Sequence, residues 1–173
     1  MKDIIFPDGF TLEFIRKQHP RKHFVSGEPA VDAWLQTKAL QNADKCLTST
    51  TLLLDPNRQI AGFYSLASKA IDFSDLPEEV TRQLPQRPLP VAVVAWLGID
   101  QKYQGQGLGK RLFARALTDC FMASSSLPFV AVVLDCLTQE AKEFYQHWQF
   151  EEMPEQPMRL FLSYARLEAM LES

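Results

Sequence analysis

The sequence predicts an α/β or α+β fold, a mixed sheet with helices on both faces. Segments with the β-branched, alternating character of strands follow one another with segments of helical period along the whole chain. In its middle, Val91 to Phe121 joins a near-continuous apolar run to a glycine cluster and then to an amphipathic helix. The 173 residues suit one domain, 1–173, large enough for its own core. There is no internal repeat, low-complexity tract or interdomain linker.

Phe10 to Phe14 alternates enough for a first strand. Arg16 to His23 is a basic run on a loop, and it reads either as solvated surface or as a contact for an anionic substrate. After Gly27-Glu28-Pro29, the residues Val31, Trp34, Leu35, Lys38, Ala39 and Asn42 keep one helical period. Thr48 to Leu54 and Ile60 to Ile71 are strands of a hairpin turned at Asp55-Pro56-Asn57-Arg58. Between Asp72 and Pro90, the prolines at 77, 85, 88 and 90 forbid a long helix or a central strand. A short helical turn fits Glu78 to Arg82, and the segment reads equally as a rim loop beside a substrate entry or as a connection.

The apolar run from Val91 is expected to be buried on both faces, and the helix after it to have a first turn made mostly of glycine. Pro128 to Leu134 is another buried strand. Thr138 to Trp148 is a helix with Thr138 as N-cap ahead of Glu140. Phe150 and Arg159 to Leu162 supply two last strands around the turn at 153–157, and Leu167, Met170 and Leu171 mark a terminal helix.

Composition narrows the class. With 46% apolar and 23% charged residues the chain is ordinary globular protein and not disordered. A formal net charge of −3 gives no bulk attraction to nucleic acid. No apolar stretch approaches the ~20 residues of a membrane span, and Met1 to Ile5 lacks the marks of a signal peptide. Cys46, Cys120 and Cys136 are odd in number and lack C-x-x-C spacing, which argues against a disulfide framework or a zinc site. A soluble cytoplasmic protein with no membrane partner is expected.

The glycine cluster has a chemical use. The first N–H groups of a helix lack internal partners and lie at the positive end of its dipole. Bare backbone at Gly105, Gly107 and Gly109 lets an anion approach, and Lys110 and Arg111 add positive charge. A pyrophosphate is the natural guest; the plainer reading is a tight strand-to-helix turn. A P-loop is ruled out by Gln104 and Arg111, which stand where Gly and Ser or Thr would be needed. For a dinucleotide fingerprint the third glycine comes one residue early.

Gln104-Gly105-Gln106-Gly107-Leu108-Gly109 fits Q/R-x-x-G-x-G/A and resembles the acetyl-CoA-binding turn of the GCN5-related N-acetyltransferase (GNAT) superfamily. Leu97-Gly98-Ile99 looks like the end of that family's central strand. The resemblance implies a central mixed, mostly antiparallel sheet and a coenzyme A site, with pyrophosphate on Gln104 to Lys110 and pantetheine along the strand at Leu97 and Ile99. A second stretch, Thr138 to Tyr145, is similar to the family's N-x-x-A-x-x-x-Y, with Thr138 for Asn. Gln149 stands where Y-x-x-x-G-F would have glycine. Thr138 still offers a hydroxyl to a pantetheine amide.

Acyl transfer to an amine needs a neutral nucleophile, a stabilised carbonyl oxygen and a protonated leaving thiolate. Tyr145, a phenol of reference pKa ~10 against ~8.5 for a thiol, can hold its proton until the thiolate forms; as an aromatic at helical spacing it also fits plain packing. A backbone N–H near Leu97 to Ile99 suits the carbonyl oxygen. Asp135 and Glu140 are candidate bases, water is the alternative, and no nucleophile arrangement points to an acyl-enzyme.

Phe24 to Leu35, Ala61 to Ala67 and Tyr103 to Gly109 are most similar to the toxin-type acetyltransferases of toxin–antitoxin modules, which acetylate aminoacyl-tRNA. The acidic balance departs from the basic footprint of an RNA enzyme. A general acetyl-CoA-dependent acetyltransferase of primary amines, on a small molecule or peptide, therefore ranks first. The aminoacyl-tRNA enzyme ranks second, and a non-catalytic acyl-CoA-binding module third. An antitoxin protein and a homodimer are the further partners this resemblance admits.

Overall fold

The structure is a computed structural model and describes residues 3–173. Met1 and Lys2, part of the stretch read above for a signal peptide, lie outside the described residues. The elements are β1 (Thr11–Phe14), α1 (Pro29–Thr37), α2 (Ala39–Asp44), β2 (Ser49–Leu54), β3 (Ile60–Ile71), α3 (Glu78–Thr81), β4 (Leu89–Ile99) and α4 (Leu108–Ala123). Then come β5 (Ala131–Asp135), α5 (Gln139–Gln146), β6 (Glu151–Met153), β7 (Gln156–Ser163) and α6 (Tyr164–Glu172). The strands run in the order β1-β2-β3-β4-β5-β7-β6. The sheet is mostly antiparallel, with β4 and β5 parallel, as the sequence predicts for this α+β class.

The chain divides into two compact units. The first comprises residues up to Ala67 and Ala95–Thr118. Here β1 and β2 pair antiparallel from Thr11↔Leu54 to Phe14↔Thr51, and β2 pairs with β3 through Thr51↔Tyr64 and Leu52↔Phe63, with an irregularity between Leu53 and Leu54. Alternation along β2 sends Leu52 and Leu54 to one face and Leu53 to the other. Leu52, Leu54 and Phe63 pack with Val31 and Leu35 of α1 and Ala39 of α2. Leu53 and Tyr64 pack with Leu108, Leu112 and Ala116 of α4. Helices thus cover both faces. A Cβ on Gly98 would come within 2.7 Å of Val31 and 3.1 Å of Phe63, so glycine is what lets β4 approach this core.

The second unit comprises Ser68–Val94 and Asp119–Ser173. Parallel pairing joins Val91↔Ala131 to Val93↔Val133, and antiparallel pairing joins Ala131↔Ser163 to Asp135↔Arg159. Ile71, Val80, Val91, Val133, Met153 and Phe161 form its core. Buried Lys142 reaches Glu152 at 2.5 Å, an ion pair that anchors α5 to β6.

Four local expectations are corrected. The helical period from Val31 to Asn42 is carried by two helices, because Lys38, at φ −122°, leaves the helical well. Leu35 and Ala39 still meet the same cluster, which is why the break leaves no trace in the apolar pattern. Secondly, β4 includes Pro90, whose missing N–H falls near the start of the strand while its carbonyl accepts from Val130 at 2.9 Å. Ala95, Trp96 and Leu97 are only half-buried, so burial on both faces is confined to the first part of β4. Lastly, Gly105 and Gly107 precede α4, and only Gly109 belongs to its first turn.

Candidate active site

Leu97, Ile99 and the turn Gln104–Lys110 belong to the first unit. The turn is built on Asp100, a buried carboxylate that accepts from Lys102 N–H (3.0 Å) and Val25 N–H (3.1 Å). Gln101 N–H in turn donates to the Val25 carbonyl at 2.8 Å. The Gln104 side-chain amide donates to the carbonyls of Ser26 (2.6 Å) and Ile99 (2.9 Å). Gln106 donates to the Lys102 carbonyl at 3.2 Å. Both glutamine side chains are thus tied into the protein and shape the turn. Tyr103 beside them donates to Asp55 at 2.5 Å. That bond, with burial and the charges of Asp55 and Asp100, pushes the Tyr103 phenol up to about 12.

Gly105 (φ +77°) and Gly107 (φ +79°) lie in the left-handed region, where a side chain is strained. A Cβ on either would meet nothing within 4 Å, so their backbone faces open space. Gly109 has no such φ, and a Cβ there would make ordinary contact with Ile99 at 3.7 Å. The turn geometry therefore requires glycine at Gly105 and Gly107 and not at Gly109. Leu108 is fully buried and pins the helix start to the core. The helical ladder begins with Arg111 N–H to the Gly107 carbonyl (3.3 Å), so the amides of Gly107 to Lys110 precede it. Lys110 and Arg111 are exposed beside them. These residues fit a diphosphate.

Leu97 and Ile99 pack toward α4. β4 pairs with β5 from Val91 to Val93.

Thr138 and Tyr145 belong to the second unit. Thr138 caps α5 by accepting from Ala141 N–H at 3.0 Å, as expected, and its own O–H remains a donor. Tyr145 lies near the end of α5, half-buried, in ring contact with Phe144 and Phe150 at centroid distances of 5.2 and 6.4 Å. Burial first, and the Cys136 thiol second, hold its phenol well above the ordinary tyrosine range. Gln149 keeps the left-handed conformation (φ +68°) that the matched pattern assigns to glycine. His147 is exposed, on the Glu143 carbonyl at 2.7 Å. Of the candidate bases, Asp135 is held by Arg159 Nε at 2.7 Å and Glu140 is exposed in the first turn of α5.

The basic run is not uniform. His19 is buried, accepting from Arg16 N–H at 2.8 Å and facing Glu13 at 3.4 Å, whereas Arg16, Lys17, Lys22 and His23 are exposed. Sequence reading missed Asp100 as the organiser of the turn; a polar residue directly after the apolar run was the available signal.

Residues 48–152 match the family described as the acetyltransferase (GNAT) domain. This chain belongs to the GNAT acetyltransferases. A tRNA-acetylating toxin of Mycobacterium tuberculosis is 36% identical over 143 residues, covering 80% of this chain and 82% of the relative. Among solved structures, AtaT complexed with acetyl-methionyl-tRNAfMet superposes with a TM-score of 0.84 at 24% identity, covering 94% of this chain and 99% of that one. AtaTR bound with acetyl-CoA gives 0.83 at 25% identity, covering 95% and 99%. This GNAT acetyltransferase thus has the enzyme class and the donor, acetyl-CoA, that its glycine turn implies. No helix among the described residues is long and apolar enough to cross a membrane.

Proposed function

We propose that this enzyme moves the acetyl group of acetyl-CoA to the α-amine of aminoacyl-tRNA, as a toxin-type member of its family. The observation that carries this is the 36% identity, over four-fifths of the chain, to a protein named for tRNA acetylation. It reverses the order drawn from net charge, which put a general amine acceptor first. Exposed Arg16, Lys17 and Lys22 support it locally, because phosphate contacts depend on where cations sit and not on the sum.

Residues 1–173 act as a single domain in this reading. Gly105 to Lys110 receive the diphosphate on their amides, with Lys110 adding charge and Gln104 and Gln106 holding the turn. Leu97 and Ile99 offer main-chain groups to pantetheine, and Thr138 offers its hydroxyl. When bound, acetyl-CoA supplies a thioester whose carbonyl carbon bonds to the acceptor nitrogen as its C–S bond breaks. Tyr145 keeps the proton on its oxygen until sulfur needs it. With its affinity for that proton raised, it acts mainly as a hydrogen-bond donor to the thiolate and regains from the amine, through solvent, any proton it gives. A small antitoxin, a homodimer and the cytoplasm complete the reading.

The test is transfer of radiolabelled acetyl from acetyl-CoA to charged tRNA, uncharged tRNA and a panel of small amines. Label retained only by charged tRNA is the expected result. Equal labelling of simple amines returns the general acetyltransferase to first place, and binding of acetyl-CoA without transfer to any acceptor favours the binding module.

A further inference from the structure

The loop that follows β1 carries exposed Arg16, Lys17, Lys22 and His23 around one buried residue, His19. An imidazole is costly to bury in a surface loop, because each ring nitrogen then needs a partner inside the protein. Both have one. Nδ1 accepts from Arg16 N–H at 2.8 Å, and Nε2 faces the Glu13 carboxylate at 3.4 Å. An accepting Nδ1 carries no proton, so the ring N–H is at Nε2, toward Glu13. The same carboxylate accepts from Nη1 and Nη2 of Arg58, in the turn between β2 and β3. The His19 main chain closes the loop further. Its N–H donates to the Arg16 carbonyl at 3.2 Å, and its carbonyl accepts from Arg21 N–H at 2.9 Å. One residue thus holds Arg16 by both its N–H and its carbonyl, and ties in the short helical turn Arg21–His23 that bears Lys22. Ile15 N–H, on the Thr50 carbonyl at 3.0 Å, fixes where the loop leaves the sheet.

With a net charge of −3 the chain has no general attraction for RNA, so the placement of a few cations decides whether phosphates are held. A cation on a free loop meets a phosphate only after the loop is ordered, and that ordering subtracts from affinity. A loop fixed by its own buried residue has lost that freedom already on folding. We infer that His19 positions Arg16, Lys17 and Lys22 to meet phosphates of the RNA acceptor. The inference rests on the aminoacyl-tRNA reading and names the loop through which that acceptor is held. His19 itself, buried under the loop, acts through these neighbours and is a positioning residue.

Steady-state transfer to charged tRNA at several salt concentrations, beside acetyl-CoA affinity and a thermal melt, tests this with the full chain. His19→Gln keeps a donor toward Glu13 and loses the acceptor for Arg16 N–H. His19→Asn, whose Oδ1 stands near the place of Nδ1, does the reverse. His19→Gln should raise KM for charged tRNA about fivefold, with kcat and acetyl-CoA affinity within about twofold of wild type. His19→Asn should bring KM back to within about twofold of wild type. Lys17→Gln combined with Lys22→Gln should raise KM likewise and flatten the slope of log KM against log salt by about one to two. An unchanged KM in His19→Gln, whatever its melting temperature, assigns the residue to folding alone and overturns the inference. Acetyl-CoA affinity lost in step with the rise in KM overturns it too, as does His19→Asn impaired equally. A lysine pair that behaves as wild type also overturns it, and that pair, at the surface, carries the test where neither His19 variant folds. In each of these cases wild-type transfer to charged tRNA keeps the RNA reading. Wild type that transfers nothing to charged tRNA overturns that reading and the inference with it.

Discussion

The side-chain amide of Gln104 donates to the carbonyl of Ile99 at 2.9 Å, tying the turn before α4 to the last residue of β4. Its other bond, to the Ser26 carbonyl, fastens the same turn to the loop ahead of α1. Gln104→Leu loses both bonds while keeping the bulk. Coenzyme A affinity should fall about tenfold, or ~1.4 kcal/mol. Calorimetry showing unchanged affinity would mean that the turn keeps its shape unaided.

Gly107 and Gly109 should respond differently. Gly107→Ala meets a left-handed φ and should cost ~1–2 kcal/mol of stability. Gly109→Ala is in a helical turn with only ordinary contact to Ile99, and should leave stability unchanged or raise it by up to ~1 kcal/mol. Both should weaken coenzyme A binding. Denaturant unfolding read beside calorimetry separates the two effects, and a Gly109→Ala protein binding like wild type would remove the ligand-approach explanation of that glycine.

Tyr145→Phe keeps the ring contacts with Phe144 and Phe150 and deletes the hydroxyl. Turnover should drop about 10²-fold or more with acetyl-CoA affinity nearly unchanged. Unaltered turnover would take Tyr145 out of its proposed role.

The pH profile follows from the same residue. In the proposed mechanism the protonated phenol is the active form, and burial raises its affinity for the proton. Loss of activity through Tyr145 therefore belongs above pH ~10, the ordinary tyrosine value. The rate should climb as the acceptor amine deprotonates near pH ~8 and stay level to pH ~10. A falling limb centred near pH 9 in kcat would contradict this.

At Gln149 a side chain occupies φ +68°. Gln149→Gly should relieve that strain and raise stability by ~0.5–1 kcal/mol, less whatever is lost to greater freedom of the unfolded chain. A thermal melt moving downward would show instead that the glutamine side chain contributes to the native state.

The two motifs needed no coordinates to be found. Bare backbone at a helix start and a phenol on the following amphipathic helix are local, so spacing alone betrays them. Less local features were hidden. The break at Lys38 is invisible because Leu35 and Ala39 meet one cluster from two helices. The burial of His19 within a basic run depends on Glu13 and on a main-chain N–H that charge patterning cannot see.

Read alone, the residues determined the α+β class, the hairpin (read from Thr48 to Ile71, observed from Ser49), the glycine turn and the family, because each is carried by residue types and spacings within a few positions of the chain. Only the tertiary structure decided that Gln104 braces the turn from Ser26 and Ile99, that Asp100 organises it, and that Asp135 pairs with Arg159. Those partners are distant in sequence, and strand register and loop packing, which no local period encodes, bring them together.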